Sequence, residues 1–164
     1  MTLAGMMLPD MMLPDMTRLA RRTLRLIAIL AAGGALVSSV SLYHHYGASK
    51  TSYCDFGESF NCDIVNRSTY SAISGVPVAS IGIIGYLGLL VLATFYRRSP
   101  QTPALLTIAS LAGLGFALYL TYIEGFVLAA WCVLCLSSLA LIFCIAALSS
   151  LFWLHSARRP SSPY

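Results

Sequence analysis

Charged side chains are scarce in this sequence. Of its 164 residues, 10% are charged and 58% are hydrophobic. An ordinary soluble domain has about a quarter of its residues charged, and a disordered chain has few apolar residues, so both classes are excluded. The basic residues behind the net charge of +4 lie at the ends of apolar segments, and no basic stripe with interleaved aromatics occurs. The sequence therefore predicts a lipid bilayer as partner and no nucleic acid.

Long apolar runs account for most of the chain. Each is about 20 residues, which is enough for a helix to cross a hydrocarbon core of about 30 Å. The first run is too long for a secretory signal peptide and is not followed by a convincing cleavage site, so it is interpreted as a membrane anchor. We predict an all-α membrane protein, a four-transmembrane-helix bundle. The expected spans are residues 24–43, 77–96, 104–123 and 130–154.

The remaining segments follow from these spans. Residues 1–17 are predicted to be a disordered tail, 18–155 the membrane domain and 156–164 a cytoplasmic tail. Four spans place both termini on one side, together with eight of the ten basic residues. The positive-inside rule then puts the termini in the cytoplasm and the loop between spans 1 and 2 outside.

Two cysteine pairs are expected on that outer side. Cys132 and Cys135 form a Cys-x-x-Cys pair near the start of the fourth span, where both lie on one helix face and can form a disulfide. The helix N-terminus favours a thiolate at Cys132. Cys54 and Cys62 lie in the outer loop, with seven residues between them. A mobile loop pair and a fixed helix pair suggest a thiol–disulfide relay with a lipid-soluble quinone as electron acceptor.

Other interpretations of these residues remain open. Two static disulfides would use the same cysteines, and a zinc site would need them at a spacing unlike that of zinc fingers. Cys144 is predicted to be a small buried apolar residue. Glu124, in the link before the fourth span, is predicted to be a solvated loop carboxylate rather than a proton relay.

Several of these motifs together resemble the vitamin K epoxide reductase family. They are Cys54, Cys62, Ser68, the sequence Gly-Val-Pro-Val-Ala at 75–79, Gly82, Gly85, Tyr86, and the pair Cys132 and Cys135. The resemblance covers roughly Leu24 to Leu154. The DsbB family also has four spans and two cysteine pairs, but it carries its Cys-x-x-Cys in the first outer loop, so the match is to the reductase family.

The resemblance implies roles for these residues. Cys132 and Cys135 would be the active-site dithiol, with Cys135 nearest the quinone. Cys62 would exchange with Cys132, and Cys54 would meet an outside thioredoxin-like partner.

The quinone site follows from the same resemblance. The hydroxyl of Ser68 would lie near the quinone, although the bare residue is equally consistent with a helix cap. Trp131 and Tyr86 are also expected to bind quinone. A short half-helix from Asp63 to Ser74 would cover the site.

Two departures from the vertebrate enzymes bear on the reaction. Leu139 replaces a tyrosine, and apolar Val78 replaces a substrate-contacting asparagine. We therefore expect a bacterial inner-membrane protein that generates disulfides. Electrons would come from a separate, DsbA-like thioredoxin-fold protein and pass to ubiquinone or menaquinone, with no metal. The alternatives are true vitamin K epoxide or quinone reduction, and a non-catalytic scaffold stapled by disulfides.

Overall fold

The computed structural model describes residues 13–47, 55–56, 60–95 and 101–157. The first twelve residues of the predicted tail therefore lie outside the described part of the chain, as do residues 158–164. The first helix begins at Leu13, so it includes the end of the segment that was predicted to be disordered.

Helices dominate the described residues. They are α1 (Leu13–Tyr46), α2 (Cys62–Asn66), α3 (Val78–Thr94), α4 (Thr102–Ile123) and α5 (Val133–Ala157). Three apolar helical stretches are long enough to cross a membrane, namely Arg18–Tyr46, Thr102–Leu128 and Val133–Ser156. Helix α3 is equally apolar but has 17 residues, a length of about 26 Å. The predicted helical membrane architecture is confirmed at this level, and the count of four spans stays a prediction.

The four long helices pack side by side around one core. Helix α1 contacts α3 and α5, and α4 contacts α5 and α3. The buried core residues are Leu24, Ile27, Ala31, Tyr86, Leu89, Ala93, Leu106, Ile142 and Ile145. Ser110 of α4 and Ser149 of α5 are fully buried, and their hydroxyls lie 2.9 Å apart. Hydrogen bonds of this kind join helices where lipid supplies no hydrophobic driving force.

Helix α1 approaches α3 closely at Gly34. The ring of Tyr86 lies directly over this glycine, so that a β-carbon there would overlap the ring. The hydroxyl of Tyr86 donates to the carbonyl of Ser138 at 2.8 Å and lies 2.9 Å from the Ser138 Oγ. Tyr86 therefore links α1, α3 and α5.

The segment between α1 and α3 is less helical than predicted. Strands β1 (Asp55–Phe56) and β2 (Phe60–Asn61) pair antiparallel, as do β3 (Ala72–Ile73) and β4 (Val76–Pro77). In place of the expected half-helix over Asp63–Ser74 there are α2 and a 3₁₀ turn, Thr69–Ser71.

Ser68 explains this break in the half-helix. Its backbone is extended, and its hydroxyl donates to the carbonyl of Val65 at 2.8 Å, while the hydroxyl of Ser71 donates to the carbonyl of Ser68 at 2.7 Å. Serine hydroxyls that bond to nearby carbonyls compete with helical backbone hydrogen bonds.

Candidate active site

Cys62 and Cys132 lie in van der Waals contact, with their sulfur atoms 3.3 Å apart, and both side chains are fully buried. The backbone explains the alignment. Phe60 pairs with Trp131 in a parallel bridge, and the Asn61 N–H donates to the Trp131 carbonyl at 3.1 Å. Each cysteine directly follows this paired stretch, so the pairing sets the two sulfurs side by side.

Asn61 also fixes the start of the helix that carries Cys62. Its side-chain oxygen accepts a hydrogen bond from the Ile64 N–H at 3.0 Å, which caps α2. Asparagine is among the preferred residues at this position. An asparagine directly before Cys62 is a local signal for this cap, although the cap was not among the predictions.

The cysteines are not all in the same redox state. Cys62 is disulfide-bonded, whereas Cys132, Cys135 and Cys144 carry free thiols. The predicted site residue Cys54 lies outside the described residues. The thiol of Cys132 thus faces one sulfur of a disulfide, which is the arrangement from which thiol–disulfide exchange begins.

The position of Cys132 favours its thiolate. It directly precedes α5, whereas the sequence predicted it inside the first helical turn, and its carbonyl accepts a hydrogen bond from the Leu136 N–H at 3.0 Å. A hydrogen bond from the Cys135 thiol lowers the pKa of Cys132, and the backbone N–H groups of Cys135 and Leu134 lower it further. Burial and the carboxylate of Glu124 oppose this shift without reversing it.

Glu124 is not the solvated loop carboxylate that the sequence analysis predicted. Its side chain is 2% exposed, and its Oε2 accepts a hydrogen bond from the Cys132 N–H at 3.1 Å. The carboxylate also interacts with the thiol of Cys135. The error arose because the link before α5 is not an open loop: Glu124–Leu128 form a π-helical turn that continues α4 and keeps Glu124 inside the bundle.

A cavity of about 400 Å³ lies between the helices and reaches this thiol pair. Cys135 and Glu124 belong to its lining, together with small and apolar residues of α1, α3, α4 and α5. Pockets that bind small organic molecules have about this size and this mostly apolar character.

One polar group in the cavity wall has no partner among the described residues. The Asn66 side chain is 7% exposed and its oxygen accepts a hydrogen bond from the Ser41 hydroxyl at 2.9 Å, but no described residue is a hydrogen-bond partner of its Nδ2. Unsatisfied buried donors are rare because they lose their hydration without compensation. Asn66 was not among the predicted site residues, since a lone asparagine in a sequence does not indicate a buried, unpaired amide.

The three predicted quinone-binding residues occupy different environments. Ser68 and Tyr86 line the cavity, although the Ser68 hydroxyl donates to Val65 and the Tyr86 hydroxyl to Ser138. The ring of Trp131 lies instead against Gly125, close enough that a β-carbon at Gly125 would press on it. The expected quinone contact of Trp131 therefore stays a prediction.

Cys144 was wrongly predicted to be buried. Its side chain is exposed on the outer face of α5, where a small apolar residue meets lipid as readily as core. Within the described ranges, no group of three His, Cys, Asp or Glu side chains is placed to hold a metal ion.

The comparison with protein families agrees with this site. A model of the vitamin K epoxide reductase family matches residues 25–150, a region that holds both cysteine pairs, Glu124 and the cavity. The resemblance predicted from the cysteine spacing is thereby confirmed. With its apolar helices and its thiol pair, this chain is a membrane oxidoreductase and belongs to the vitamin K epoxide reductase family.

Proposed function

We propose that this protein oxidises the thiols of a DsbA-like thioredoxin-fold protein and passes the electrons to a membrane quinone, so generating protein disulfides. Electrons enter at Cys54 and Cys62, move to Cys132 and Cys135, and leave to the quinone. The observation that carries this proposal is the 3.3 Å contact between disulfide-bonded Cys62 and the thiol of Cys132.

The exchange step conserves electrons and protons. A thiolate of Cys62 attacks Cys132 in a Cys132–Cys135 disulfide, and the Cys135 thiolate leaves and takes up a proton. Cys54 then attacks Cys62, which closes the Cys54–Cys62 disulfide and releases the Cys132 thiolate. The observed state, with Cys62 disulfide-bonded and the helix pair reduced, corresponds to the end of this sequence.

The cavity suits a quinone head group. Its volume of about 400 Å³ and its apolar walls match a flat organic ring, with the Cys135 thiol in the wall. The unpaired Nδ2 of Asn66 supplies a hydrogen-bond donor of the kind that a ring carbonyl needs. When bound, the quinone would accept two electrons and two protons. The Cys132 thiolate forms the S–S bond to Cys135 as that thiol gives up its proton, and the two electrons released would pass to the quinone.

The orientation proposed is that of a bacterial inner-membrane protein. Arginines at 18, 21, 22 and 25, ahead of the first apolar stretch, hold that end in the cytoplasm. Helix α3 completes a fourth span, despite its shorter length. The cysteine pairs then face the outer, oxidising side, where disulfides persist.

The two rival functions have less support. A scaffold stapled by static disulfides has no need of the free thiols at Cys132 and Cys135 beside a cavity. Epoxide reduction lacks the polar contact expected early in the second span, since Val78 lines the cavity there without a polar side-chain atom.

The decisive experiment measures quinone consumption by the detergent-solubilised full chain. A purified, reduced DsbA-like protein is the electron donor and a short-chain ubiquinone is the acceptor. We expect wild type to reduce the quinone and Cys135→Ala to be inactive with every donor. Cys54→Ala should lose only the turnover driven by the protein donor and keep that driven by a small dithiol, which reduces Cys132–Cys135 directly.

Cys144→Ala is the matched control, because it removes a cysteine on the outer face of α5 and should behave as wild type. The proposal is wrong if wild type leaves the quinone unchanged, or if Cys135→Ala consumes it as fast as wild type.

A further inference from the structure

We propose that Glu124 is a catalytic residue that takes the proton from the Cys135 thiol and passes it to the bound electron acceptor. This inference rests on the proposed function, because it concerns the step in which the reduced cysteine pair is oxidised. It assigns the proton path of that step to one carboxylate.

The first support is the contact between acid and thiol. The Glu124 carboxylate interacts with the Cys135 thiol and accepts a hydrogen bond from the Cys132 N–H at 3.1 Å. Glu124 and Cys135 both line the cavity. A proton that leaves the sulfur thus has an acceptor that also faces the space where a quinone ring fits.

The second support is the backbone that holds the carboxylate there. Ala129 adopts a left-handed conformation with φ of 49°, and the Ala130 N–H donates to the Glu124 carbonyl at 3.1 Å. This turn folds the chain back, so that the N–H of Cys132, eight residues further on, reaches the Glu124 side chain. The left-handed region is unfavourable for alanine, and this strain is located at the turn that brings the two groups together.

The third support is the cost of burying a carboxylate at all. An ionised carboxyl group in an apolar wall loses most of its hydration, and a neutral amide oxygen would accept the Cys132 N–H equally well. A purely structural cap therefore does not require an acid. Of the acidic residues in the described part of the chain, Glu124 is the one that lines the cavity.

Electrons and protons balance in this step. Before it, Cys132 is a thiolate, Cys135 a thiol and Glu124 a carboxylate. The S–S bond forms, two electrons pass to the quinone, and the Cys135 proton travels through Glu124 to a quinone oxygen. The second proton that the quinone takes up comes from the aqueous phase. This proton replaces the one that Cys132 released to water when it became a thiolate. Afterwards Cys132 and Cys135 are a disulfide, the quinone is a quinol and Glu124 is again a carboxylate.

The first test uses no quinone and asks whether Glu124 is ionised beside the reduced pair. The alkylation rate of Cys132 is followed against pH by peptide mass spectrometry in reduced wild type and Glu124→Gln. Because a carboxylate opposes the low pKa of Cys132, its removal should shift the alkylation profile to lower pH. Other titratable groups of the cavity, namely Cys135, His45, Tyr70 and Tyr86, are the same in both proteins. An unshifted profile means that Glu124 is already protonated, which overturns the proposal.

The second test compares the two half-reactions. Glutamine keeps an oxygen for the Cys132 N–H but cannot carry a proton. We expect Glu124→Gln to slow quinone reduction by about 100-fold or more, the scale of general acid–base catalysis. Exchange between Cys62 and Cys132 should not be slowed, because a lower pKa makes Cys132 a better leaving group. Glu124→Asp should recover part of the loss.

Asp63→Asn is the matched control, since it removes a carboxylate next to Cys62 that is not part of the cavity wall. It should leave the quinone step unchanged. If wild type reduces quinone and Glu124→Gln does so equally fast, Glu124 has only a structural role and the inference fails alone. If wild type fails to reduce quinone, the proposed function fails, and the alkylation test still decides the charge of Glu124.

Discussion

The sulfur of Cys132 lies 3.3 Å from the sulfur of Cys62, although 70 residues separate them in the sequence. Two backbone contacts of the preceding residues produce this proximity: Phe60 pairs with Trp131, and Asn61 bonds to the Trp131 carbonyl. The loop cysteine therefore reaches the helix cysteine without a rearrangement of α5.

This contact predicts a trapped intermediate. In the double variant Cys54→Ala and Cys135→Ala, both thiols that could displace this bond are gone, so treatment with a thiol oxidant should leave a stable Cys62–Cys132 disulfide. Non-reducing peptide mapping of the variant should recover the two peptides joined. Cys144→Ala should show no such species, and its absence from the double variant under oxidising conditions would contradict the exchange path.

The pKa of Cys132 should depend on Cys135. The Cys135 thiol is the largest contribution that lowers this pKa, so its removal raises the pKa and less thiolate remains at a given pH. In a Cys62→Ala background, where no loop disulfide competes, Cys135→Ala should shift the alkylation profile of Cys132 to higher pH.

Cys135→Ser is the control for this shift. Its hydroxyl still donates a hydrogen bond to the Cys132 sulfur, so the profile should lie nearer to that of the parent. Equal profiles for the alanine and serine variants would show that the Cys135 hydrogen bond does not set the pKa of Cys132.

The long helices and the thiol pair Cys132 and Cys135 could be predicted from the sequence, because each is indicated by a pattern of neighbouring residues. Apolar runs of about 20 residues gave the positions of α1, α4 and α5, and the Cys-x-x-Cys spacing located the thiols at the start of α5. These features need no knowledge of how the helices pack.

The burial of Glu124 had no such signal. It depends on a π-helical turn and a left-handed alanine, and neither backbone feature has a sequence pattern that separates it from an ordinary polar link. The unpaired amide of Asn66 could not be predicted for a similar reason. Its environment consists of α1 and the other residues of the cavity wall, which are distant in the sequence. Cys144 shows the reverse error, because apolar periodicity does not separate a lipid-facing position from a core position in a membrane helix.

The contact between Gly34 and Tyr86 predicts a difference between two neighbouring glycines. Gly34→Ala places a methyl group in the Tyr86 ring, and overpacking of this kind costs typically 1–3 kcal/mol. Gly33→Ala is the matched control, since no described residue beyond the adjoining part of α1 lies within 4 Å of its added β-carbon. It should be neutral or stabilising by up to about 1 kcal/mol, the gain in helix propensity. Thermal unfolding measured in detergent should show a lower Tm for Gly34→Ala but not for Gly33→Ala. Equal Tm values would show that α1 and α3 do not meet at this point.

The unpaired Nδ2 of Asn66 predicts a role in quinone affinity. Asn66→Leu keeps the size of the side chain and removes the donor, so a quinone carbonyl at this site loses one hydrogen bond. A net loss of about 1 kcal/mol raises the quinone KM roughly fivefold, while thiol exchange at Cys62 and Cys132 should continue at the wild-type rate. Steady-state kinetics with a short-chain ubiquinone measure the first effect, and peptide mapping of the disulfides measures the second.

The control for Asn66 is Ser41→Ala. It removes the same hydroxyl–amide hydrogen bond that Asn66→Leu breaks, but it leaves Nδ2 in the cavity wall. If the donor itself binds the quinone, Ser41→Ala should raise KM much less than Asn66→Leu. Because the Ser41 bond holds the amide in place, a small increase is still expected. Equal increases in the two variants would mean that packing between α1 and α2, and not the donor, determines quinone affinity.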